Sequence, residues 1–138
     1  MNWKLKLILW FVNNVQPIRQ AEDSEIAKTR IKNMKVAALG NRLFNSKKEI
    51  KEIKDFTIDN IPVRLYRNST AANQKVIIYG HGGGFVYYNI ESHDYVTRRL
   101  CAMNDCTVIS VDYRLAPEHP FPAAHEDFYK VIEYVHQH

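Results

Sequence analysis

Val76-Ile77-Ile78-Tyr79-Gly80-His81-Gly82-Gly83-Gly84-Phe85 is a short apolar run that ends in a glycine loop. Val76 to Tyr79 is continuous and apolar, the pattern expected of a strand buried on both faces. The loop admits several readings. A phosphate-cradling loop of the form G-x-x-x-x-G-K-[ST] fails because no Lys-Ser/Thr pair follows the glycines. A dinucleotide fingerprint G-x-G-x-x-G/A fails at its third position, which is Phe85, and the next helical pattern starts several residues later. An oxyanion hole fits better. Successive glycines let backbone N–H groups approach a ligand with no Cβ in the way, and a rigid donor of this kind lowers an acyl-transfer barrier by roughly 2.7–4 kcal/mol. The alternative is a plain flexible loop.

Downstream of this loop, helical and strand patterns alternate. Ser92 offers an N-cap for a helix carrying Val96, Leu100 and Met103 on one face. Cys106 to Val111 is a second β-branched apolar run and reads as a second buried strand. Val111-Asp112-Tyr113-Arg114-Leu115-Ala116-Pro117-Glu118-His119-Pro120-Phe121-Pro122 follows as a proline-stiffened loop. Asp112 leaves the strand end, and Arg114 with Glu118 is expected to form an ion pair that pins the loop. Pro122 then opens a helix with Phe128, Val131, Ile132 and Val135 inward. Upstream, Phe56 and Ile58 alternate with polar neighbours, Asp59-Asn60 supplies turn chemistry, and Val63 and Leu65 alternate again, which predicts an antiparallel hairpin. Strand, helix, strand, helix with short links predicts a parallel sheet beyond that hairpin.

The first part of the chain is different in kind. Leu5, Ile8, Leu9 and Val12 repeat at helical spacing, with Trp3, Trp10 and Phe11 widening the apolar surface. The apolar run Leu7 to Val12 is far short of the ~20 residues of a membrane span. This first helix is expected to pack on the protein or lie at a membrane interface. After Pro17, Asp23 or Ser24 offers an N-cap for a helix with the stripe Ala27, Ile31, Met34 and Ala38, closing at Gly40. Residues 45–54 read as a charged connector in which lysines alternate with glutamates. The 138 residues carry a formal charge of +4. Interleaved signs argue for a solvated surface and against a nucleic-acid partner. Cys101 and Cys106 form no C-x-x-C pair and read as buried free thiols of a reducing, cytoplasmic compartment. His125, His136 and His138 lack a carboxylate or thiolate to complete a metal site.

Together, in this order and separation, HGGGF at 81–85 and DYRLAPEHPFPAA at 112–124 resemble the signatures of hormone-sensitive-lipase-like α/β-hydrolases, esterases and lipases; the likeness runs from about Asp55 to Tyr134. The resemblance implies the amino-terminal half of an α/β-hydrolase fold, with an antiparallel hairpin and then parallel βαβα, preceded by a helical cap. Residues 1–54 would be the cap segment and 55–138 a partial hydrolase domain. It further implies an oxyanion hole at Gly83 and Gly84 with Gly82 adjacent. His81, Phe85, Asp112, Tyr113, Arg114 and Glu118 would orient the loops, and His81 would not be the general base. Tyr87 and Tyr88 are candidates to line an acyl pocket. No metal or organic cofactor is implied. The family's nucleophile sits in G-x-S-x-G, followed by Asp/Glu and His. That pattern does not occur here: none of Ser24, Ser46, Ser69, Ser92 and Ser110 has the flanking glycines. The chain is therefore expected to lack the triad and to be inactive alone. The alternatives are half of a split esterase completed by a carboxyl-terminal polypeptide, or a module that binds a small ester or lipid. The strand ending at Tyr79, central in the whole fold, would here present an open edge.

Overall fold

Asp59 and Asn60 both adopt left-handed backbone conformations, φ 48° and 65°. Two such residues make the tight turn whose twist matches the strands it joins. That turn sets the register of β1 (Glu52–Ile58) and β2 (Ile61–Arg67), with Phe56 opposite Val63 and Ile58 opposite Ile61. The computed structural model describes residues 23–44, 50–69 and 75–138. The expected helix at the amino terminus lies outside the described residues.

Beyond the hairpin come β3 (Val76–Gly80), α2 (Ile90–Asn104), β4 (Thr107–Val111) and α3 (Ala123–Gln137), with α1 (Asp23–Phe44) preceding the sheet. The strand order is β1-β2-β4-β3. β2 pairs antiparallel with β4, and β4 pairs parallel with β3, Ile78 opposite Ile109 and Gly80 opposite Val111. The antiparallel hairpin followed by a parallel βαβα unit is the expected fold class. β4 is buried at every position and alternates between two cores. Ile109 and Val111 join Ile58, Val63 and Val131 under α3. Val108 joins Tyr66, Cys101 and Cys106 under α2, where both cysteines are free and buried.

Several expectations about element faces need correction. β3 is not buried on both faces: Val76 is 44% exposed, and Ile77, Ile78 and Tyr79 are only partly buried. Among the described residues β3 pairs on one side only, so its other flank is open. α2 is capped by Asn89, not Ser92. The Asn89 side chain accepts from the Ser92 N–H, and the Ser92 hydroxyl accepts from the Asn89 N–H, each at 3.0 Å. The buried face of α2 is Ile90, Asp94, Thr97 and Cys101, while Val96 and Met103 are exposed and Leu100 is partly buried. Polar residues occupy that face because they are satisfied. Asp94 accepts from the Tyr66 hydroxyl at 2.8 Å and from Arg98 at 2.6 Å. Thr97 returns its hydroxyl to the Asp94 carbonyl.

α1 runs through Gly40 to Phe44, and β1 already starts at Glu52 inside the presumed connector. In α1, Ala27, Ile31 and Met34 of the expected stripe face outward, with Ile31 56% exposed. The helix instead packs on α2 and turns Thr29, Arg30, Asn33 and Ala37 partly inward. In α3, Val131 is fully buried and Phe128 and Val135 are partly so, whereas Ile132 stays exposed.

Candidate active site

The carboxyl ends of β3 and β4 lie side by side, so the loops that leave them meet. The β3 loop is shaped by its glycines. Gly83 has φ 122°, and a Cβ there would collide with the Tyr87 carbonyl. Gly84 has φ 62° with open space around it. Phe85 and Tyr88 also sit at positive φ, 62° and 75°, which non-glycine residues adopt only at a cost of about 1–3 kcal/mol each. The Gly83 carbonyl closes the turn by accepting from the Val86 and Tyr87 N–H groups at 3.2 and 3.1 Å. The N–H groups of Gly82, Gly83 and Gly84 donate to no backbone oxygen among the described residues. Three donors are therefore left for something else.

His81 anchors this loop from below. It is buried, and its ring stacks on Tyr113 with centroids 4.2 Å apart. Its Nδ1 lies 2.9 Å from the Gly82 carbonyl. A carbonyl can only accept, so the proton sits on Nδ1 and Nε2 carries the lone pair. The Tyr113 hydroxyl donates to the His81 carbonyl at 2.5 Å. Burial pushes His81 below its ordinary pKa, outweighing the Gly82 carbonyl and the Asp112 carboxylate, which act the other way. Nε2 is 3.9 Å from Asp112 Oδ1, too far for a hydrogen bond, and makes none among the described residues. A neutral, stacked imidazole fixes a loop. Burial raises the Asp112 carboxyl, with His81 and the Ile90 backbone opposing. Burial, Asp112 and Tyr79 push the Tyr113 phenol up to about 12.

Arg114 and Glu118 do not pair with each other. Arg114 turns to α3, where Asp127 accepts from its backbone N–H at 3.0 Å and from its guanidinium at 2.8–3.0 Å. Glu118 binds Arg30 of α1 at 2.6 Å. The two loops also join directly, Ala116 N–H to Phe85 carbonyl at 2.8 Å. Arg30, Asp127 and His93 are therefore site residues that sequence reasoning missed. His93 Nε2 lies 3.9 Å from where a Gly82 Cβ would stand. Burial and the neighbouring His81 lower its pKa, against the Asn89 backbone. Its place in the first turn of α2, just after the glycine loop, was the available signal.

Beside the loop, an apolar groove of about 730 Å³ lies between the carboxyl end of β3 and α3, lined by Phe85, Tyr113, Phe128, Tyr129 and Ile132 among others. Tyr87 and Tyr88 are not among its lining residues: Tyr87 is buried and Tyr88 packs edge-on to His93. Among the described residues no group of three His, Cys, Asp or Glu side chains is placed to hold a metal ion. No helix of the described residues is long and apolar enough to cross a membrane.

A half-sheet with its glycine loop and proline loop meeting at the strand ends defines an α/β-hydrolase, and residues 77–138 match the family described as alpha/beta hydrolase fold. Carboxylesterase NlhH of Mycobacterium tuberculosis is 34% identical over 116 residues, 83% of this chain and 36% of that protein. Carboxylic ester hydrolase LipN of the same organism is 44% identical over 78 residues, 56% of this chain and 21% of that protein. A hyperthermophilic esterase from Pyrobaculum calidifontis superposes with a TM-score of 0.77 at 38% identity, over 82% of this chain and 38% of that one. The chain has the α/β-hydrolase fold and is similar in sequence to carboxylic-ester hydrolases of the hormone-sensitive-lipase-like type. It spans between about a fifth and two-fifths of the length of these relatives.

Proposed function

We propose that this chain supplies the oxyanion-hole half of a carboxylic-ester hydrolase. The observation that carries the reading is the set of unengaged Gly82, Gly83 and Gly84 amides in a loop whose shape Gly83 alone permits. In the reaction, a serine from outside these 138 residues attacks the ester carbonyl. The carbonyl oxygen becomes an oxyanion and takes hydrogen bonds from the Gly83 and Gly84 N–H groups, with Gly82 adjacent. Collapse expels the alcohol, and water hydrolyses the acyl-enzyme. His81 and Tyr113 hold the glycine loop, Asp112 and Phe85 flank it, and Arg114 and Glu118 hold the second loop. The residues that precede β1 act as the cap. Donors prepared in place are worth most where charge develops only in the transition state. A chain without nucleophile, acid and base keeps at most weak assistance, so it is inactive alone.

The open flank of β3 and the apolar groove beside it favour completion by a further segment, within a longer chain or as a separate polypeptide. The test joins residues 1–138 to the carboxyl-terminal remainder of the Pyrobaculum esterase and follows hydrolysis of a short-chain nitrophenyl ester. Turnover that falls about 100-fold or more on Gly83→Ala supports the reading. Unchanged turnover in that variant rejects it. The groove also favours a second reading, a module that binds a small ester or lipid without chemistry. Saturable binding of an unreactive ester to the chain alone, with no turnover in the joined protein, would select it.

A further inference from the structure

The guanidinium of Arg30, on α1, reaches both motif loops at once. Its Nε donates to the Val86 carbonyl at 2.8 Å and its Nη2 to the Ala116 carbonyl at 2.6 Å. Nη1 and Nη2 also meet the Glu118 carboxylate, at 2.6 and 3.0 Å. These acceptors sit beside the bonds that hold the loops in shape. The Val86 and Tyr87 N–H groups close the turn on Gly83, and the Ala116 N–H closes on Phe85. An exposed ion pair such as Arg30–Glu118 has little effect by itself. The two backbone carbonyls make the contact specific, and only a planar fork with several fixed donors spans all three acceptors.

We propose that Arg30 is a positioning residue that couples the seating of α1 to the conformation of the Gly83–Tyr87 turn. Its meaning for catalysis rests on the oxyanion-hole reading; the mechanical coupling does not. If α1 shifts, Arg30 pulls on the Val86 and Ala116 carbonyls together, and the glycine amides move with the turn they belong to. The cap segment thereby sets the aim of the donors without touching substrate.

Amide hydrogen exchange on the full 138-residue chain tests this. Arg30→Ala is expected to speed exchange at Val86, Tyr87 and Ala116 by about tenfold while β4 amides keep their rates, a local opening and not a global one. Arg30→Lys retains charge but not the fork and should fall between. Unchanged loop exchange, or an equal rise throughout β4, overturns the coupling. Should Arg30→Ala fail to fold, Arg30→Met, which keeps the apolar stem and removes every donor, carries the test, with about a tenfold rise at the same amides expected and no rise overturning the proposal. In the joined esterase, Arg30→Ala should lower kcat with KM nearly unchanged. Faster exchange with an unchanged kcat would leave the coupling standing and remove its catalytic part, while the oxyanion reading stands or falls separately on Gly83→Ala.

Discussion

Gly83 and Gly84 are neighbours with different constraints, and the difference is measurable. Gly84 is left-handed but unobstructed. Alanine there costs only the left-handed penalty of about 1–2 kcal/mol. At Gly83 a Cβ runs into the Tyr87 backbone, so the turn itself must change. Urea unfolding of the two alanine variants should show Gly83→Ala losing about 3 kcal/mol or more, and Gly84→Ala well under that. Comparable losses would mean the turn is not held as described. The shape of the glycine loop was legible in the sequence because the turn at Gly83 requires a residue without a side chain. The Arg114–Glu118 pairing was not, although the charges are complementary and close in the chain. Each found a better partner on another element: Asp127 on α3 for Arg114, and Arg30 on α1 for Glu118. Which distant element comes near is set by packing, and a single sequence does not carry it.

At the scale of elements, Arg114 and Asp127 tie the proline loop to α3. Burial pushes the Asp127 carboxyl up, but the hydrogen bonds and charge of Arg114 more than offset this and leave it below the usual carboxylate range. A carboxyl depressed in the folded state adds stability above its unfolded pKa of about 4 and loses it as pH falls through the folded value. Asp127→Ala should cost roughly 2 kcal/mol near neutral pH, and the gap to the parent should shrink below pH about 4. A gap that stays constant on acidification would contradict the pairing. Element types and order were readable from alternation, turn chemistry and prolines. Helix faces were less so. Ile31 and Met34 of α1 and Val96 and Met103 of α2 point to solvent; in α2 Asp94 and Thr97 hold inward positions through hydrogen bonds that no periodicity reveals. β3 was read as buried from its composition, and its open flank makes that composition a liability.

For the molecule as a whole, β3 presents the uncharged run Val76–Tyr79, pairs on one side only among the described residues, and ends at an apolar groove. Such edges template association, and a lysine on the edge blunts it. Size-exclusion chromatography with light scattering should find the chain alone larger than a monomer at micromolar concentration. Val76→Lys, at an exposed edge position, should shift it toward monomer. A monodisperse monomer of the parent would contradict this. The proposed function rests on the glycine loop, and no G-x-S-x-G occurs in these 138 residues. Ester hydrolysis by the chain alone and by the chain joined to the Pyrobaculum remainder, with and without Gly83→Ala, tests this most directly. No turnover is expected from the chain alone, turnover from the joined protein, and loss of that turnover on Gly83→Ala. Turnover by the chain alone, or joined turnover indifferent to Gly83, would contradict it.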